Sequence, residues 1–223
     1  MNSNLFKYIL RIADNCLILG QRMSEWCSNG PTLEEDIAMS NISLDMFGQA
    51  NGFYDYASQI DGQKSADELA FKRNEREFFN FQLIEQENGN FGNTIVRNFL
   101  FDVFNFLFYT ELSNSTDKTL SALAAKSLKE AKYHLRHSKN WIIRLGDGTN
   151  ESNQKVQNAL NDLWHFTGEL FEMDEIDNEL LKVCVSVDLN KIKLEWDKII
   201  NSTLKIAKLE RPTDSYMASG GKK

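Results

Sequence analysis

Ile95-Val96-Arg97-Asn98-Phe99-Leu100-Phe101-Asp102-Val103-Phe104-Asn105-Phe106-Leu107-Phe108-Tyr109 is an apolar run with a carboxylate in its middle. Ile95, Phe99, Asp102, Phe106 and Tyr109 recur at steps of four and three, which marks one face of an α-helix. Asp102 sits on that face where a leucine or phenylalanine would be expected. The following segment keeps the same rhythm through Leu120, Ala124, Ser127, Ala131, His134, Ser138 and Trp141. That face is small and polar, with a histidine near its centre. A carboxylate and an imidazole on the buried faces of successive helices are the materials of a metal site inside a four-helix bundle.

Outward from this pair, helical periodicity continues in both directions. Leu5, Ile9, Ile12, Cys16, Leu19, Met23 and Trp26 place a first helix at about 4–26, and a second stripe on it (Leu10, Asp14, Leu17, Gln21) predicts packing between neighbours. Ser28-Asn29-Gly30-Pro31 is a turn, and Thr32 with Glu35 predicts a capping box opening a helix to about residue 60. Ala38, Ile42, Asp45, Gln49, Gly52 and Tyr56 form one of its stripes. Ser65 and Glu68 repeat the capping-box spacing before a short helix. The third long helix is expected over 91–112 and the fourth over 117–145, stopped by Gly146. A fifth is expected over about 152–171 and a last one from an Asp188 cap to about residue 208. No stretch alternates with period two. The predicted fold is all-α: a ferritin-like antiparallel four-helix bundle with additional shorter helices, one domain over 1–211 and a polar, flexible tail over 212–223.

The composition narrows the function classes. The 223 residues suffice for a sizeable core, and only two prolines, Pro31 and Pro212, interrupt potential helices. A net charge of −7 without a basic stripe argues against nucleic-acid binding. No apolar run approaches the ~20 residues that span a bilayer, and no signal peptide is visible, so a cytoplasmic protein is expected. Cys16, Cys27 and Cys184 show no CxxC pairing and read as buried free thiols.

A di-iron bundle uses one carboxylate from each of two helices and a Glu-x-x-His pair from each of the other two. On this chain the first helix offers Gln21. The second offers Asp45 with Gly48, the third Asp102, and the fourth Ala131 with His134. Glycine and alanine cannot ligate through a side chain and glutamine is a weak ligand, so the set looks vestigial. No bound metal and no catalytic residue is expected, with Asp102 and His134 satisfied by each other or by polar neighbours. Gly-rich phosphate loops, GxSxG and HExxH are absent from the sequence.

Asp14-Asn15-Cys16-Leu17, Gln21-Arg22, Glu25-Trp26-Cys27, Leu44-Asp45, Gly48-Gln49-Ala50, Asn88-Gly89-Asn90-Phe91, Lys129-Glu130-Ala131, Tyr133-His134-Leu135-Arg136, Leu163-Trp164 and Gly220-Gly221-Lys222-Lys223 together resemble one family: the structural, non-catalytic subunit of bacterial 1,2-phenylacetyl-CoA epoxidase. Glu87 departs from it, standing where a proline is expected, and members usually continue past Gly220–Lys223 into a further helical stretch. The resemblance implies a ferritin-like fold and no cofactor on this chain. It implies a heteromer with a related catalytic subunit that carries the di-iron centre and binds the CoA ester, with a homodimer as a further assembly. It also implies an NADPH- and O2-dependent monooxygenase whose reductase serves the partner. Asp14, Arg22 and Glu25, off the main stripe of the first helix, are the candidate partner interface. The competing readings are a ferritin-like di-iron oxidase with a reduced ligand set, and an adaptor that binds the CoA moiety.

Overall fold

A computed structural model describes residues 2–221. Among them are nine α-helices and no strand: α1 (Asn2–Ser24), α2 (Leu33–Asp61), α3 (Ala66–Phe71), α4 (Gln82–Glu85), α5 (Phe91–Leu112), α6 (Lys118–Gly146), α7 (Asn150–Leu163), α8 (Glu175–Lys182) and α9 (Leu189–Ile206). Three short 3-10 turns lie at Glu75–Glu77, Trp164–Phe166 and Gly168–Phe171.

α1, α2, α6 and α5 close a four-helix ring. Ser43 Oγ donates to Gly20 O at 2.8 Å and Tyr54 Oη to Asp14 Oδ1 at 2.6 Å, so α1 and α2 run antiparallel. Gln49 meets Glu130 and Tyr56 meets Asp117, which sets α2 antiparallel to α6. Cys16 lies against Tyr109 and Met23 against Asn98, so α5 opposes α1. α2 and α5 therefore point the same way, and residues 62–90 must return along the bundle to join them. One long crossover of this kind is the connection of ferritin-like bundles.

Caps explain most boundaries. Ser65 and Glu68 form the expected capping box at α3. At α2 only half of the predicted box is made: Thr32 accepts from Glu35 N, but the Glu35 carboxylate accepts from His137 Nε2 at 2.8 Å instead of reaching back. Gly62 ends α2 at φ 68°, a conformation that glycine adopts without a Cβ penalty. Gly146 is not such a cap. It is the last residue of α6, and it is glycine because a Cβ there would collide with the Ala207 carbonyl oxygen and lie 2.9 Å from the Ala207 Cβ. Gly146→Ala is therefore expected to cost about 1–3 kcal/mol by forcing α9 off α6, read as a lowered urea midpoint at unchanged slope.

α5 is buried on nearly every side because α7 and α9 cover the faces that the bundle does not. This is why its sequence is apolar all round. Wholly buried Trp196 of α9 donates Nε1–H to Leu100 O at 3.0 Å and packs among Trp164 and Phe171. The expected helix over 152–171 stops at Leu163 and continues as 3-10 turns, while α8 and α4 are short helices that the periodicity missed. From Pro212 the chain is not helical, yet through Gly221 it lies against the body: Trp164 Nε1 donates to Asp214, Ala218 N to His165 O, and Gly221 N to Glu169. Lys222 and Lys223 fall outside the described residues. Of the three free cysteines, Cys16 is buried as expected, but Cys27 and Cys184 are exposed in the turns after α1 and α8.

Candidate site at the bundle centre

Two polar layers cross the middle of the bundle. In the first, Tyr109 donates its hydroxyl to Gln49 Oε1 at 3.0 Å, and Gln49 Nε2 donates to Glu130 Oε2 at 2.8 Å. The Cys16 sulfur lies 3.4 Å from the Tyr109 oxygen. Burial pushes the Cys16 thiol up to about 12 and the Tyr109 phenol well above its ordinary value, so both stay protonated and neither is an activated nucleophile. In the second layer, Ser138 Oγ donates to Asp102 Oδ2 at 2.7 Å and His134 Nε2 lies 3.0 Å from Asp45 Oδ2. Among the described residues His134 Nδ1 is buried without a hydrogen-bond partner. Burial pushes the Asp102 carboxyl up to about 6, although His134 and the Ser138 hydroxyl pull the other way.

The residues read from the sequence as a remnant ligand set divide in two. Asp102, Ala131 and His134 are buried and Asp45 sits at the rim with its side chain 36% exposed. Gln21 and Gly48 do not face the centre; both are exposed. A Cβ added at Gly48 would meet nothing within 4 Å. Gln21 lines an open groove with Leu17, Phe47, Tyr54 and Phe71. What α1 and α2 turn inward are Cys16 and Gln49. Among the described residues no three His, Cys, Asp or Glu side chains come together as metal ligands. The donor set does not fit a pair of divalent irons, which needs several anionic oxygens around both ions.

Of the candidate interface residues, Asp14 is excluded as a contact: it is 0% exposed. Its carboxylate accepts from Tyr54 Oη at 2.6 Å, from Phe79 N at 2.8 Å and from both terminal nitrogens of Arg73. The residues 73–79 of the crossover cover it, and no local periodicity announces a partner 59 positions away. Arg22 and Glu25 staple the 85–88 loop to α1. Arg22 donates twice to Glu85 O, and Asn88 donates to Glu25 at 2.7 Å.

The sequence pattern of the phenylacetic acid catabolic protein family matches residues 1–223. The chain belongs to this family. A relative from Escherichia coli (strain K12), one of the subunits of its 1,2-phenylacetyl-CoA epoxidase, is 45% identical over 221 residues, which cover 99% of this chain and 89% of that relative. Among the described residues no helix is long and apolar enough to cross a membrane.

Proposed function

We propose that this chain is a cytoplasmic structural subunit of a phenylacetyl-CoA 1,2-epoxidase, and that it binds and stabilises the catalytic ferritin-like subunit without performing the oxidation itself. The observation that carries this reading is the bundle centre. Three carboxylates (Asp45, Asp102 and Glu130) and one imidazole stand there, each tied to a protein neighbour, where a di-iron pair would require four carboxylates and two imidazoles. On this reading the partner holds the di-iron centre and receives the electrons that a reductase draws from NADPH, and O2 is consumed there.

A protein that works by contact should present apolar surface, and α2 does. Leu33, Ile37 and Leu44 are 73%, 53% and 66% exposed, and at 100° per residue they share one outward face with Gly48 and Asn51. Obligate interfaces bury about 2,000 Å² or more and are apolar at their centre, so this face is the natural seat for the partner. Gel filtration of the chain mixed with the catalytic subunit is expected to give one stable complex. The purified chain alone should carry well under one iron. About two irons per chain, with turnover by the lone polypeptide, would overturn the reading in favour of an oxidase.

A further inference from the structure

α6 is charged against the rest of the protein. It holds seven of the 25 Lys and Arg residues and one of the 32 Asp and Glu residues. Lys118, Lys126, Lys129, Lys132, Arg136 and Arg144 are exposed; Lys139 is half-buried. At 100° per residue these seven fall on one side of the helix, opposite the buried line from Leu120 to Ser138. Ion pairs tie nine of the 16 described bases elsewhere in the chain, such as Lys72, Lys155, Lys191 and Lys198. Among the described residues none of the seven on α6 enters one. The single carboxylate of the helix, Glu130, is turned to Gln49.

Such a stripe opposes folding. Lys126, Lys129, Lys132, Arg136 and Lys139 follow one another at three- and four-residue steps, where like charges repel. Flanking apolar surface is present too: Tyr133 is 40% exposed beneath the Arg136 guanidinium. From Lys118 to Arg144 the stripe spans about 39 Å, the scale of a protein interface.

We infer that the outer face of α6 docks a carboxylate-lined face of the catalytic subunit. This rests on the reading of the chain as a structural subunit and adds, besides the apolar face of α2, a second contact surface and the charge of what it meets. A protein face is favoured over a phosphate backbone or an anionic membrane because the molecule as a whole carries −7, which repels an extended polyanion everywhere except on this one helix. A second copy is disfavoured because a two-fold axis through this face would set one α6 stripe against the other, like charge against like.

The test is the association rate of the full chain with the purified catalytic subunit as NaCl is raised from low to physiological concentration and beyond. The wild type should slow by about tenfold or more. The variant Lys129→Glu, Lys132→Glu, Arg136→Glu should associate about tenfold more slowly at low salt and lose most of the salt dependence. Lys193→Glu with Lys205→Glu on α9 should change neither. All five positions are exposed, and an unchanged melting temperature confirms folding. If wild type and triple variant bind alike, or the wild-type rate ignores salt, the α6 inference is wrong while the structural-subunit reading stands. If the wild type does not bind the catalytic subunit at all, both fall. Tighter binding to duplex DNA or to phosphatidylglycerol vesicles, or salt-sensitive self-association that the triple variant abolishes, also overturns the inference.

Discussion

Asp14→Ala is expected to destabilise the protein by about 3–5 kcal/mol, the cost of breaking one side of a buried ion pair. The Asp14 side chain is wholly inaccessible and that of Arg73 is 6% exposed. Removing the carboxylate therefore leaves a guanidinium, the Tyr54 hydroxyl and the Phe79 amide facing a void instead of their acceptor. The damage would not stay local. Arg73 also donates to Leu69 O and Glu77 O and lies over the Phe78 ring at 4.1 Å, so Asp14 is the point through which α1 holds the irregular part of the crossover. Urea unfolding should show the loss, and a double-mutant cycle with Arg73→Met should show strong coupling, because removing both charges is less damaging than stranding one. The same experiment separates folding from docking. An Asp14→Ala protein with an unchanged urea midpoint but no affinity for the catalytic subunit would restore Asp14 as a contact residue and contradict its burial.

That ion pair also marks the boundary of what periodicity can reveal. The inward line of α6 was legible to the residue: Leu120, Ala124, Ser127, Ala131, His134 and Ser138 are all buried. Only its end slipped, from Trp141 to the fully buried Ile142. Both ends of α5 were legible as well, because a polar loop precedes the apolar run and a polar turn follows it. On α1 the second stripe was correctly a sign of neighbours, but one of its members, Asp14, is covered by residues 73–79 and another, Gln21, opens onto a groove. Such cover depends on where a loop returns, which no helical repeat encodes. On α2 the i, i+3 rule failed for a geometric reason. Asp45 already sits at the rim, so three residues on, the helix turns further outward to Gly48, while four residues on it turns inward to Gln49. A search for glutamine as well as carboxylate along the Ile42 stripe would have found the Gln49–Glu130–Tyr109 layer. α8 and α4 are too short to show a period, and the seating of the 212–221 segment rests on single hydrogen bonds between distant residues.

Asp102 offers the sharpest test of what the bundle centre does. Its carboxyl stands at about 6 in the folded protein, against an ordinary value of 3.8, because burial penalises the anion. An acid whose value is raised on folding holds its proton more tightly in the native state. Its contribution to stability is therefore most favourable below about pH 4, declines as pH rises through the window from about 4 to 6, and is fully unfavourable above it, by up to about 3 kcal/mol. Asp102→Asn keeps the shape and an oxygen to accept from Ser138 but cannot ionise. The variant should be nearly as stable as wild type at about pH 4.5 and more stable by about 1–3 kcal/mol at about pH 7.5, measured as urea unfolding at the two pH values. A metal-binding centre predicts the opposite sign, because a ligating carboxylate must be ionised and its amide loses the ion. If Asp102→Asn is less stable than wild type at the higher pH, and adding iron widens the gap, the polar centre still serves a metal. If the variant is more stable there and still assembles with the catalytic subunit, the carboxylate is a tolerated remnant, and the work of this chain lies on its outer faces.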